Sequence, residues 1–148
     1  MTKILFICSG NICRSPMAEF VMKDIVKKAG CEKDFVIRSA ATSAEQLGCP
    51  VYPDAKRKLR ENGIDCSSKV AAKLSRDDYN RYDLLVCMDS DNVRNTLRIV
   101  REDPKGKVKK LLDYCKGGDV ADPWYTGDFE LAFDDIVRGC TALFNSLH

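Results

Sequence analysis

The sequence predicts an α/β fold: a single doubly wound domain over residues 1–148, with a four-stranded parallel sheet and helices on both faces. Three observations predict it. Short apolar runs rich in β-branched residues alternate along the chain with segments of helical periodicity. Those runs are apolar at consecutive positions, as in strands buried on both faces. The 148 residues are 45% hydrophobic and 31% charged, enough for one packed core.

The elements follow in order. Ile4 to Ile7 is the first buried strand. A polar turn, Ser9-Gly10-Asn11, leads to Ser15-Pro16, which predicts an N-cap followed by proline at the first helical position. Met17, Phe20, Val21 and Ile25 recur at helical spacing until Gly30. Phe35-Val36-Ile37 predicts a second strand, and Pro53 to Glu61 a second helix stopped by Asn62-Gly63. Leu84 to Met88 is a third strand, followed by a helix from about Asp91 to Val100 that Asp103-Pro104 ends. Val108 to Leu112 is the last strand. Phe129 to Leu147 is a closing helix with Phe129, Phe133, Ile136, Val137, Leu143 and Phe144 apolar. Such sheets bind ligands at the carboxyl ends of their strands, so the loop after the first strand is the place to seek chemistry.

Composition narrows the chemistry. A net charge of +2 supplies no field for holding nucleic acid, and the stretch Lys105 to Lys110 is short enough for a solvated face. The apolar run in MTKILFIC is too short for a signal peptide, and none approaches the ~18 apolar residues of a membrane helix. The expected location is the cytoplasm, with no membrane association. The eight cysteines are then mostly free thiols, and none form a C-x2-C pair. The one histidine is His148, which removes Ser-His-Asp and Cys-His catalysis and makes a zinc cluster improbable. No metal or cofactor is expected. Catalysis must draw on Cys, Asp, Glu, Lys, Arg or Tyr.

The first loop reads Cys8-Ser9-Gly10-Asn11-Ile12-Cys13-Arg14-Ser15-Pro16. A bare C-x5-R pair is weak evidence, but this one sits between a buried strand and a helix start. Gly10 and Asn11 tolerate unusual backbone angles. A short loop turning into a helix points several N–H groups inward at the positive end of the helix dipole, an anion cradle. Arg14 can add a bidentate fork to two phosphate oxygens. The same field favours a thiolate at Cys8. The bland alternative, a core cysteine beside a surface arginine, does not account for the whole nonapeptide. The segment is neither a G-x-x-x-x-G-K-[ST] loop nor a G-x-G-x-x-G turn.

The segment resembles the phosphate-binding signature of the low-molecular-weight protein tyrosine phosphatases, C-x-G-N-x-C-R-S-P. The match continues through Met17-Ala18-Glu19, Ser39 to Ser43, Cys87-Met88-Asp89 and Asp122-Pro123-Trp124-Tyr125, in the family's order along nearly the whole chain. The resemblance implies that Cys8 is the nucleophile and forms a phosphocysteine. It implies that Arg14 holds the phosphoryl group within the loop Ser9, Gly10, Asn11, Ile12, Cys13, Arg14 and Ser15. Asn11, Ser15 and Ser39 would support that loop, and Asp122 would be the general acid. The residues alone leave Asp119 and Asp128 as equal candidates for that acid. Ile12, Glu45, Trp124 and Tyr125 would contact the substrate, a phosphotyrosine-containing protein or small aryl phosphate. Cys8 and Cys13 would be a reversible redox pair. The chain is expected to be a monomer or weak dimer. Three positions depart from the pattern: Glu45 where an aromatic is frequent, Lys69 where many members carry histidine, and Trp124 where tyrosine is usual.

Three rival functions are weighed against this one. A thioredoxin-coupled arsenate reductase needs two further, closely spaced downstream cysteines, and Cys87 has its nearest downstream neighbour only at Cys115. Protein-arginine phosphatases tend to have threonine where Ile12 stands. A non-catalytic phosphotyrosine-binding module would be expected to have lost Cys8 or Asp122.

Overall fold

A computed structural model describes residues 1–147. Strand β1 (Thr2–Cys8) leads through the nonapeptide loop into helix α1 (Arg14–Lys28). Strand β2 (Phe35–Ala41), helix α2 (Pro53–Glu61) and the single-turn helix α3 (Asp78–Arg81) follow. Then come β3 (Leu84–Cys87), α4 (Ser90–Val100), β4 (Val108–Lys110), the single-turn α5 (Pro123–Thr126) and α6 (Phe129–Ser146). The four strands are parallel, in the order β2-β1-β3-β4.

That order fixes where a ligand can sit. The chain leaves β1 for β2 on one side and later returns to β3 on the other, so the sheet's switch point lies beside β1. The registers Cys8↔Ala41 and Ile7↔Cys87 place Cys8 at the carboxyl end of the central pair.

The sheet is covered on both faces, because side chains of β1 alternate between them. Ile4, Phe6 and Cys8 join residues of α1, α2 and α6 in the larger core. Leu5 and Ile7 face the other way, toward Leu74, Tyr79 and Val100. Packing is close where α6 crosses the turn after β4. A Cβ on Gly139 would come within 2.5 Å of Leu111 Cγ, so only glycine fits there.

Several boundaries differ from the sequence expectation. Helix α1 begins at Arg14, with Cys13 at the N-cap position and Pro16 in the first turn rather than at its first position. Ser15 cannot cap, because its hydroxyl is engaged by Cys8 and Asn11. Strand β2 runs four residues past Ile37, carried by pairing with β1 rather than by apolar character. Strand β4 stops at Lys110, and Leu111–Tyr114 forms a 3-10 turn. Helices α3 and α5 span four residues each, too few for a periodic pattern to appear. No helix among the described residues is long and apolar enough to cross a membrane.

Candidate active site

Cys8 ends β1 with its sulfur in the centre of the loop that follows. Ser15 Oγ lies 2.9 Å from Cys8 Sγ, and the N–H groups of Asn11 and Ser15 point to the sulfur at 3.3 and 3.4 Å. Among the described residues, the N–H groups of Gly10, Ile12, Cys13 and Arg14 find no hydrogen-bond acceptor. The loop therefore combines a buried sulfur with free backbone donors at the start of α1, the chemistry of an anion site.

Asn11 explains how the loop keeps this shape. Its φ of 58° lies in the left-handed region, which asparagine tolerates better than most residues. Its side chain uses both ends. Nδ2 donates to Ser15 Oγ at 2.8 Å and to Ser39 Oγ at 2.9 Å, while Oδ1 accepts from the Ala72 N–H at 3.0 Å. Ser39 in turn donates to Glu19 Oε1 at 2.5 Å. Glu19 is buried, and Lys23 and Lys69 neutralise it at 2.5 and 3.4 Å. Lys69 also donates to the Ser39 carbonyl at 3.0 Å. Burial pulls the Lys69 ammonium below its ordinary pKa, against the pull of Glu19. Lysine thus stands in this network at the position where the sequence departs from a family histidine.

Arg14 is only 2% exposed, and its guanidinium donates to three oxygens. Nη1 donates to Asp89 Oδ2 at 2.6 Å and to the Val120 carbonyl at 2.9 Å, and Nη2 reaches Asp122 Oδ2 at 3.3 Å. Burial works against its charge. The Cys8 sulfur, Asp89 and Asp122 outweigh burial and hold the guanidinium more firmly protonated than usual. Asp89 also accepts from the Asn92 N–H at 2.7 Å in a capping box that starts α4. Asn92 extends the arrangement to the loop by donating to Ser9 Oγ at 3.2 Å.

A solvent-open cleft lies over this floor. It is lined by Cys8, Ser9, Gly10, Ile12, Cys13 and Arg14 of the loop, and by Ser43, Glu45, Gln46, Asp122, Trp124 and Tyr125. Trp124 and Tyr125 are 53% and 85% exposed, as the polar sequence around the tryptophan suggests. Tyr52 packs edge-on against Trp124 with ring centroids 5.2 Å apart and stacks on Phe129 at 5.8 Å, so the aromatic wall is propped from behind. Cys13 is buried beside the loop. Burial, with Cys8 and Asp122 nearby, pushes its thiol up to about 12. All eight cysteines are free thiols.

The structure brings together Cys8, Arg14 and Asp122, the loop residues 9–15, Ser39, and the cleft residues Ile12, Glu45, Trp124 and Tyr125. Of the other acid candidates, Asp119 turns to Lys110 and Ser90, and Asp128 caps α6, so neither lines the cleft. Sequence reasoning gave no role to Asp89, Asn92, Glu19 or Tyr52, although Asp89 and Glu19 fall within the blocks that carry the resemblance. Asp89 and Asn92 carried a signal, an Asp-x-x-Asn start to a helix after a buried strand. Glu19 enters only as part of the block Met17-Ala18-Glu19, and Tyr52 sits in a loop with nothing local to mark it. Among the described residues, no group of His, Cys, Asp and Glu is arranged to hold a metal. His148 lies outside those residues.

Comparison with known proteins agrees with this geometry. The family model described as low molecular weight phosphotyrosine protein phosphatase matches residues 3–148. The low molecular weight protein-tyrosine-phosphatase YfkJ of Bacillus subtilis is 35% identical over 150 residues, covering 99% of this chain and 96% of its own. Its crystal structure superposes with a TM-score of 0.96 over 99% of this chain and 94% of that one. The Schizosaccharomyces pombe low molecular weight phosphotyrosine protein phosphatase is 41% identical over 134 residues, 86% of this chain and 85% of its own. The Streptococcus pyogenes low molecular weight protein tyrosine phosphatase structure has a TM-score of 0.91 at 36% identity, covering this whole chain and 94% of that one. The chain belongs to the low molecular weight phosphotyrosine protein phosphatase family, whose members are cysteine-dependent enzymes.

Proposed function

We propose that this protein hydrolyses phosphotyrosine in protein substrates, and small aryl phosphates, through a phosphocysteine on Cys8. The observation that carries the reading is the Cys8 sulfur, set among converging donors in a loop whose remaining N–H groups are free, with Arg14 alongside. The phosphoryl oxygens take the loop N–H groups and the Arg14 guanidinium. The Cys8 thiolate attacks phosphorus, the P–O bond to the tyrosine breaks, and Asp122 gives its proton to the leaving phenolate oxygen. Asp122 then takes a proton from water as that water attacks the phosphocysteine, releasing inorganic phosphate and restoring the thiolate. Asn11, Ser15 and Ser39 hold the loop, and Ile12, Trp124 and Tyr125 grip the aromatic ring.

Further parts of the reading rest on composition and site chemistry. The enzyme acts in the cytoplasm as a monomer or weak dimer, without nucleic acid, metal or cofactor. Under oxidation Cys8 joins Cys13 in a disulfide that thiols reverse, which protects the nucleophile from higher oxidation states.

The test is turnover of phosphotyrosine, phosphoarginine and arsenate side by side. Phosphate release from phosphotyrosine far exceeding that from phosphoarginine, with no thiol-dependent arsenate reduction, is the expected result. Preference for either other substrate would overturn the reading.

A further inference from the structure

We propose that Glu45 makes the mouth of the cleft selective for phosphotyrosine segments carrying a lysine or arginine beside the phosphotyrosine; this rests on the phosphotyrosine reading above. Three observations support it.

The first is position. Glu45 lines the same cleft as Trp124 and Tyr125. Its loop is tied to the phosphate loop, since the Ser43 N–H donates to the Ser9 carbonyl at 3.0 Å. The Glu45 N–H donates to Ser43 Oγ at 3.1 Å, and the Gly48 N–H to the Ala71 carbonyl at 2.9 Å. The carboxylate is therefore presented from a held backbone.

The second is its lack of a partner. The carboxylates nearby are occupied: Asp89 and Asp122 face Arg14, and Asp54 pairs with Arg57. Among the described residues the Glu45 carboxylate makes no ion pair or hydrogen bond, and nothing in the fold requires its charge.

The third is charge balance. Arg14 is the one cation among the residues lining the cleft, and it is buried at the floor against two carboxylates. Among the described residues, no lysine lines the cleft and no arginine other than Arg14. A peptide leaving the cleft meets exposed aromatic rings and a free carboxylate. A lysine or arginine stem can lie along the aromatic wall while its charge meets Glu45, and an acidic flank is repelled.

The experiment compares kcat/KM for two phosphotyrosine peptides that differ only in lysine or glutamate at the flanking positions. It uses the wild type, Glu45→Gln and Glu45→Lys at low and high salt. The ratio between peptides is taken within each protein, so changes in overall rate cancel. The wild type should favour the lysine peptide about two- to fivefold, the range of an exposed ion pair. Glu45→Gln should bring the ratio toward one, Glu45→Lys should invert it, and high salt should flatten it. Equal turnover of both peptides by the wild type, or a preference unchanged in both variants, would overturn the Glu45 assignment alone. No turnover of either peptide by the wild type would overturn the phosphotyrosine reading and this inference with it.

Discussion

Asp122 divides its carboxylate between two duties. Oδ1 accepts from the Trp124 N–H at 3.0 Å and starts α5, while Oδ2 faces Arg14 Nη2 at 3.3 Å. In the proposed reaction the arriving phosphate draws the guanidinium to its own oxygens, which turns Oδ2 toward the leaving group. The consequence depends on that group. Phenolate leaves poorly, because tyrosine's pKa is about 10, and a positioned acid typically contributes about 100- to 10,000-fold. An activated nitrophenolate needs far less help. Asp122→Ala should therefore slow phosphoenzyme formation from phosphotyrosine far more than from nitrophenyl phosphate, as rapid-quench kinetics would measure. Equal losses on both substrates would remove Asp122 from the acid's role.

At the scale of elements, α4 is more than a sheet covering. Its N-cap, Asp89, gives Oδ1 to the helix through the Asn92 N–H and Oδ2 to Arg14 at 2.6 Å. One carboxylate thus joins the stability of a helix to the aim of the phosphate-binding arginine. Asp89→Ala should cost about 1 kcal/mol for the lost cap and should also lower turnover. Asp89→Asn keeps an acceptor for the cap but drops the charge facing Arg14. It should retain most of the stability, by urea denaturation, while turnover falls. Equal stability losses in the two variants would separate the cap from the arginine contact. Much of this architecture was legible in the chain. The doubly apolar run at Ile4 to Ile7 gave the central strand, and the loop after it gave the site. What the residues by themselves did not show depends on pairing across distance, although the resemblance had already placed Ser39 and Asn11 in one network. Ser39 Oγ meets Asn11 only because β2 continues four residues beyond its apolar stretch, and Glu19 meets Lys69 from positions 50 residues apart in sequence. The expected N-cap at Ser15 failed for the same reason, since a tertiary partner claimed its hydroxyl.

Across the whole molecule, the buried thiols of Cys87 and Cys140 couple stability to alkali. Burial, against a bond from Thr96, pushes the Cys87 thiol up to about 12, and burial pushes Cys140 up as well. Both folded values lie above the ~8.5 of an unfolded cysteine. The folded chain therefore keeps protons that the unfolded chain loses, and stability falls as pH rises from about 9 toward the folded value. The slope is about 1.4 kcal/mol per pH unit for each such thiol. Urea denaturation at about pH 8 and about pH 10.5 should show this loss. In Cys140→Ala the decline should be shallower by one thiol's share. Parallel declines in the two proteins would place the titration elsewhere.

The central claim is that Cys8 itself carries the phosphoryl group. Its most direct test is acid quench of the enzyme during turnover of a phosphotyrosine peptide, followed by mass mapping. The account predicts one phosphoryl group on the peptide bearing Cys8 in the wild type. In Cys8→Ser it predicts folding by circular dichroism and no turnover. Wild-type-like turnover by Cys8→Ser, or a phosphoryl group carried by another residue, would contradict it.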